Sequence, residues 1–302
     1  AFNKCMNLRT VHFDENSQLS IIEELAFNDS ALETITIPSH VVQIDSSAFY
    51  GCKHLETVDF APNSEIRIFN DDMFLGSSIQ NLTIPSNVEE LKVGWFNGIS
   101  KSCNISISPN NHNFALLDGK LLIGKSDINS ENFDVLIYAR EEIEEANIPN
   151  YIKKIRSGAF NRCMNLKTVH FDENSQLSKI GKFSFYMSSL TDITIPKNVK
   201  SISTKAFSKC MSLLHIEFQP NSELQNIGSF AFSESSLRDI VIPQHVTKIC
   251  ENAFYRCKNL RSVGFAPNSE LEVIESSAFM CSSLPSILFP SSVTTIETNA
   301  FA

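Results

Sequence analysis

Eight consecutive residues, Gly119-Lys120-Leu121-Leu122-Ile123-Gly124-Lys125-Ser126, satisfy the pattern G-x-x-x-x-G-K-S, in which backbone N–H groups cradle phosphates, the lysine reaches the terminal phosphates and the serine binds magnesium. That chemistry needs a strand before the loop and a helix after it. Here the central Lys-Leu-Leu-Ile is itself strand-like, and residues 127–134 lack helical periodicity. Asp118-Gly119, flanked by Leu116-Leu117 and Leu121-Leu122, signals instead a two-residue hairpin turn, with a third strand expected at Val135 to Tyr138. A structural β insertion near 110–140 is therefore expected, with no nucleotide at Lys125.

Thiol and metal chemistry come next, because the chain holds eight cysteines. Five of them, Cys5, Cys52, Cys163, Cys210 and Cys257, recur at one position of a repeat, where alternate units carry Ser30, Ser77, Ser188, Ser235 and Ser282. If each unit forms one layer of stacked strands about 4.8 Å apart, cysteines two layers apart are separated by about 10 Å, beyond the roughly 7 Å that a disulfide spans. Reduced, inaccessible thiols are expected, Cys257 and Cys281 being the one pair in adjacent layers. No C-x-x-C or paired Cys/His spacing points to zinc, and Cys52-x-His54 is the nearest approach to it. The seven histidines are scattered, and no Ser/His/Asp set or nucleophile elbow can be assembled. Glu141, Glu142, Glu144 and Glu145 read as a solvated face. Sequons at Asn28, Asn81 and Asn104 match chance for this composition, and Asn104 falls on an expected strand. Neither catalysis nor a cofactor or metal is expected.

Composition narrows the partners. Among 302 residues, 25 Lys and Arg face 34 Asp and Glu, a net charge of −9, and no basic stripe is present to replace counterions on a phosphate backbone, so nucleic acid is excluded. No run of about 18 apolar residues signals a spanning helix, and no basic-then-apolar leader follows Ala1.

What positions these residues is a repeat. Ala-Phe or a close variant begins at 1, 26, 48, 73, 95, 159, 184, 206, 231, 253, 278 and 300, so units of 25 and 22 residues alternate as 47-residue doublets. The doublets span 1–47, 48–94, 95–158, 159–205, 206–252 and 253–299, the third enlarged by 17 residues, with a stub at 300–302, all within a single domain. Long units read AF..C..L..V.F..NS.L..I and short units AF..S.L..I.IP..V..I. The V-x-F and I-x-I cores have the period of a half-buried strand, and Pro38, Pro85, Pro149, Pro196, Pro243 and Pro290 close the strand of each short unit. Ten of eleven prolines fall in repeat columns, and 18 of 23 phenylalanines form two columns expected to stack as a core.

This pattern resembles the BspA-like, or Treponema pallidum type, leucine-rich repeats, whose unit carries I-x-x-x-A-F, a small residue or Cys, then L-x-x-I-x-I-P. The resemblance covers essentially all of 1–302 outside the insertion, and such proteins often carry a similar hairpin. It implies a leucine-rich-repeat solenoid: a right-handed superhelix of about twelve repeats with twelve short parallel β-strands on the concave face, short helical turns or loops elsewhere and one inserted β-hairpin. Family members are often surface proteins, some implicated in adhesion, so the resemblance implies a cell-surface or extracellular adhesin or surface antigen. The alternative is an intracellular protein–protein scaffold, in keeping with the missing leader and the unpaired thiols.

The candidate binding face is the outward position of the strands: His12, Thr36, Asp59, Thr83, His170, Thr194, Glu217, Val241, Gly264 and Leu288, with Ser106 and Asn147 in the same column. Its polar, lightly charged character suits a protein or glycan ligand there or on the insertion, rather than a small substrate in an apolar pocket. Towards the end the column turns apolar. Val241, Gly264 and Leu288 are read either as a strip packing on further repeats or a cap, or as a partner site with Gly264 permitting close approach. Because the chain begins and ends inside an Ala-Phe motif, a longer array and self-association through uncapped ends are also expected. Finally, residues 1–20 and 159–178 are identical at 18 positions, which is read as segmental duplication or as two equivalent surfaces.

Overall fold

Alternation of inward and outward side chains, expected from the period-two cores, is present residue by residue in the computed structural model, which describes residues 1–99 and 103–302. In Thr34–Ile37 and Asn81–Ile84 the first and third side chains are exposed while the second and fourth are buried. The chain forms two compact units, residues 1–119 with 127–131 and residues 120–126 with 132–302.

In the first unit Thr10–Val11, Thr34–Ile37, Thr57–Phe60, Asn81–Ile84 and Asn104–Ile107 make one parallel ladder of five strands. In the second, the equivalent strands pair as Glu145–Ile148 with Thr168–Phe171, Asp192–Ile195 with His215–Phe218, and Asp239–Ile242 with Ser262–Phe265. This major ladder therefore has eleven strands among the described residues, not the expected twelve: Ser286 to Phe289 form none. Pro285 is the cause. In most layers the residue just before the strand donates its N–H to the same position of the previous layer, as in Glu33 to Arg9 (3.0 Å), Arg238 to Leu214 (3.1 Å) and Arg261 to Arg238 (2.8 Å). Proline in that register has no N–H to give.

A second parallel ladder was not anticipated. It consists of two-residue strands: Ile21–Ile22 with Gln43–Ile44 and Ile68–Phe69 with Glu90–Leu91 in the first unit, and in the second a continuous run from Lys154–Ile155 through Lys179–Ile180, Ser201–Ile202, Asn226–Ile227, Lys248–Ile249 and Val273–Ile274 to Thr295–Ile296. All but the last supply one inward apolar residue, such as Ile180, Ile202 and Ile227; in Thr295–Ile296 both residues are exposed.

The expected helical turns are absent from the described residues, and the destinations of the backbone N–H groups explain why. In an α-helix they return to the residue four before. In the Ala-Phe segments alternate N–H groups cross to the next layer instead, Phe207 to Ala231 O (2.7 Å) and Lys209 to Ser233 O (2.8 Å), while those between close tight turns, Ser208 to Lys205 O (3.3 Å). Reaching across requires left-handed backbone at paired positions, Lys205 (φ 56°) and Lys209 (φ 59°), then Phe230 and Glu234 (both φ 57°).

That geometry stacks the phenylalanine column. In the second unit Phe160, Phe185, Phe207, Phe232, Phe254, Phe279 and Phe301 follow one another with ring centroids 4.9–5.3 Å apart and planes within 12°. In the first, Phe2, Phe27 and Phe49 stack at 5.2–5.3 Å within 12°, and Phe74 follows more loosely at 5.8 Å and 22°. Each fully buried ring contributes about 1.5–3 kcal/mol from burial alone, and each offset stack about 0.5–1.5 kcal/mol more.

In the insertion, Asp118, Gly119 and Lys120 make the turn between Phe114–Leu117 and Leu121–Gly124, with Asp118 (φ 50°) and Gly119 (φ 67°) both in the left-handed region that the Asp-Gly signal calls for. The third strand, expected at Val135 to Tyr138, is Val135–Ala139; it pairs antiparallel with Leu121–Gly124 and parallel with Lys154–Ile155, which joins the insertion to the second ladder.

Candidate functional site

The phosphate-loop residues occupy a strand. Leu121–Gly124 is wholly buried, and Ser126 is held by Asp134, which accepts from its backbone N–H and from its hydroxyl, both at 2.8 Å. The hydroxyl that magnesium would need is committed to a carboxylate, and Lys125 lies 5.8 Å from the centre of the Phe133 ring. The hairpin reading of this segment stands.

All eight cysteines are free, the adjacent-layer pair Cys257 and Cys281 included. Four of the five column cysteines are buried; Cys5 is half-buried, a departure from the expected inaccessibility. The column has a hydrogen-bonding logic that the sequence did not disclose. The thiols of Cys52, Cys210 and Cys257 each donate to a phenylalanine carbonyl one layer back, Phe27, Phe185 and Phe232, all at 3.0 Å. Ser30, Ser188 and Ser235 contact the same sulfurs at 3.4–3.5 Å. Burial pushes the Cys210 thiol up to about 12 and that of Cys257 to about 11, so neither is a nucleophile near neutral pH. Among the described residues no group of three or more His, Cys, Asp or Glu side chains is placed to hold a metal ion. The sequon residue Asn28 is buried, its amide donating to Asn3 at 2.9 Å.

The outward column is aligned as its spacing predicts, in each unit by itself. Thr36 stands opposite Asp59 and Thr83 opposite Ser106 in the first. Asn147 stands opposite His170, Thr194 opposite Glu217 and Val241 opposite Gly264 in the second. All are exposed except Ser106 and Gly264, which are half-buried. His12 lies just past the two-residue strand Thr10–Val11. Leu288, 87% exposed, belongs to no strand, so it does not extend the Val241–Gly264 pair along the ladder. Polar groups of neighbouring layers engage each other across this face: Thr83 with Ser106 at 2.8 Å, Glu145 with His170 at 3.2 Å, His215 with Asp239 at 3.6 Å. Such exposed pairs contribute about 0–1 kcal/mol each, so they organise the surface more than they stabilise it.

Beside Glu217, Asp239 and Val241 the strand-closing segments at Pro220, Pro243 and Pro267 border a groove of about 640 Å³ that also takes in His245, whose Nδ1 is 3.0 Å from Glu270. Sequence reasoning placed the column but not this groove, although the proline columns marked its rim.

Two stacked ladders, a ring column and a solvent-facing row of strand residues define a parallel β-solenoid repeat protein. The chain belongs to the BspA type leucine rich repeat family, whose model matches residues 1–113, 131–261 and 178–302. A search of curated proteins gave no match. Among solved structures, a leucine-rich repeat protein from Eubacterium ventriosum is similar at 23% identity, with TM-score 0.76 over 95% of this chain and 80% of that one. The pneumococcal vaccine antigen PcpA is similar at 24% identity, TM-score 0.66, over 95% and 68%. A leucine rich cell surface protein from Faecalibacterium prausnitzii gives 21% identity, TM-score 0.59, over 82% and 83%. Likeness at these identities shows the fold. Among the described residues no helix is long and apolar enough to cross a membrane.

Proposed function

We propose that this chain is a surface-displayed repeat protein that binds a protein or glycan of a host or neighbouring cell through the outward rows of the major ladder, with no catalytic step. One observation carries the reading: side chains of consecutive layers stand in register and open to solvent, Thr36 beside Asp59, Asn147 beside His170, Thr194 beside Glu217. A repeated, aligned row of this kind matches a macromolecule's repeating contacts better than it encloses a small molecule. The names of two similar structures, a cell surface protein and a vaccine antigen, support display at the surface.

The test has two parts. Biotinylation of intact source cells with a membrane-impermeant reagent is expected to label the protein, and a signal seen only after lysis refutes surface display. Purified chain is expected to bind immobilised matrix proteins or cell-surface glycans, and Val241→Glu with Leu288→Glu to weaken that binding while shifting stability by no more than about 0.5 kcal/mol. The eight free thiols favour a competing reading, an intracellular scaffold in a reducing compartment, and the labelling experiment separates the two.

A further inference from the structure

The register just before the major-ladder strands pairs opposite charges across layers at two places. Arg9 meets Glu33 at 3.3 Å, and Glu144 meets Lys167 at 3.8 Å. At Arg238 and Arg261 the same register holds two arginines. The Arg261 N–H donates to the Arg238 carbonyl at 2.8 Å, so their Cα atoms sit in adjacent layers, about 4.8 Å apart. Like charges placed directly opposite one another are destabilising. Among the described residues neither guanidinium has an ion-pair partner, and the nearby Asp239 is engaged by His215. Asn259 shows the same incompleteness: Asn165, in the same register, donates to the Glu141 carbonyl at 3.3 Å, whereas no hydrogen bond of the Asn259 amide is found among the described residues. These three side chains line an open recess of about 280 Å³.

We propose that Arg238, Arg261 and Asn259 seat the carboxylate of an acidic protein segment, whose neighbouring aliphatic side chain rests on Val241 and Gly264. This rests on the reading of the major ladder as a binding face and names the partner chemistry at its later layers. Two guanidinium forks present parallel N–H donors that fit a carboxylate, relieve the repulsion between them and supply charge-assisted hydrogen bonds. Val241, 59% exposed, lies three residues further along the chain from Arg238, about 10 Å away, a span covered by the same-face positions i and i+2 of an extended peptide, about 7 Å apart, together with the length of an arginine side chain. Opposite it, a Cβ built on Gly264 meets Val241 only at an ordinary 3.5 Å, so the glycine leaves room for a visiting side chain. A protein segment suits this better than an anionic polysaccharide, because the outward rows contain no Phe, Tyr or Trp on which a sugar could stack and end in an apolar patch. Residues 181–302 carry ten basic and ten acidic side chains, so the chain's acidic excess lies before the seat and this stretch has no net charge to repel an acid.

The experiment titrates the full chain into a fluorescein-labelled peptide of three Asp-Ser-Leu-Ser repeats, which puts Asp and Leu on one face of an extended segment, and reads anisotropy. Saturable binding is expected, weakened by salt and weakened about tenfold or more when the aspartates become asparagines. The double variant Arg238→Gln, Arg261→Gln is expected to lose about tenfold or more, and Arg238→Lys, Arg261→Lys to fall between it and the original chain, with unchanged circular dichroism. Lys200→Gln, a basic residue elsewhere on the surface, should bind as the original chain does. Equal affinity for the asparagine peptide, no binding of the aspartate peptide, or undiminished binding by the double glutamine variant overturns the seat. Heparin that binds through the same two arginines while the peptide does not would reassign it to a polysaccharide. The readout does not depend on cell labelling: a seat that binds in a protein never found at the surface leaves this inference standing and the surface reading refuted, and the converse result does the opposite.

Discussion

Replacing Cys210 and Cys257 by serine should remove a loss of stability that the original chain suffers in alkali. An unfolded thiol ionises near 9.0, whereas burial holds these two up to about 12 and about 11. Below pH 9 both states keep the protons and the groups add no pH dependence. Above it the unfolded state releases protons that the folded state retains, so stability falls as pH rises towards the folded values, by about 1.4 kcal/mol per pH unit for each thiol. Together the two thiols lower stability by about 3 kcal/mol at pH 10 and about 5 kcal/mol at pH 11, relative to neutral pH. Serine already occupies this column in the alternate layers and does not titrate, so the difference between the two proteins isolates the two thiols. Urea unfolding followed by far-ultraviolet circular dichroism, under reducing conditions and across this range, gives the difference. The two stability curves should converge, or cross, as pH increases. Parallel curves would refute the account of these thiols as buried and held neutral.

Phe207, fully buried between Phe185 and Phe232, is expected to cost about 3–5 kcal/mol on change to alanine, and Phe2, 40% exposed with a single stacked neighbour, markedly less; chemical denaturation compares them, and equal costs would contradict the ring column as a source of stability. Gly228→Ala drives a Cβ to 2.8 Å from the Thr204 backbone nitrogen and 2.9 Å from the Ile202 carbonyl, for a loss of about 1–3 kcal/mol in thermal or urea unfolding, whereas Gly264→Ala, with its nearest contact at 3.5 Å, should stay within about 0.5 kcal/mol. Pro285→Thr, which gives that position the residue found at Thr191, restores the missing donor; amide hydrogen exchange over residues 286–289 should slow, and an unchanged rate would mean that something other than the proline keeps the strand from forming.

The features legible in the amino-acid order are those whose signal lies within one unit. Val-x-Phe and Ile-x-Ile show which side chains face inward, and their spacing alone aligns Thr194 with Glu217 and Val241 with Gly264. Asp118-Gly119 betrays its turn because few other pairs accept left-handed backbone twice. The second ladder escaped because two residues are too few for alternation to show: Lys179–Ile180 reads as the end of a motif, and its partners lie 22 and 25 residues away. The Ala-Phe turns escaped because Phe230 and Glu234 hold a conformation their residue types disfavour, stabilised by hydrogen bonds to Glu251 and Tyr255 one layer on. The loss of the last strand was written in Pro285, the one proline outside the repeat columns, whose register becomes apparent only against the N–H donors of the layers before it. The arginine pair was hidden differently: each residue looks like an ordinary surface charge until Arg238 and Arg261 are seen side by side.

The thiol–hydroxyl column also constrains how such a chain lengthens. Ser30 meets Cys52, Ser188 meets Cys210 and Ser235 meets Cys257, so each short layer is complete only when a long layer follows it. Where the rule lapses the hydroxyl is stranded: the layer after Ser77 carries Ile99 in place of a cysteine, and the Ser77 oxygen is buried without a partner. Inserting or deleting a single layer would set serine against serine or cysteine against cysteine and break the thiol–hydroxyl alternation, whereas a whole doublet slots in with every pairing intact. The array thus has a parity, and growth by 47 residues is the step that its core leaves open. A near-copy such as 159–178 of 1–20 sits in phase with the alternation, each copy opening a long layer that carries the column cysteine, Cys5 in one and Cys163 in the other.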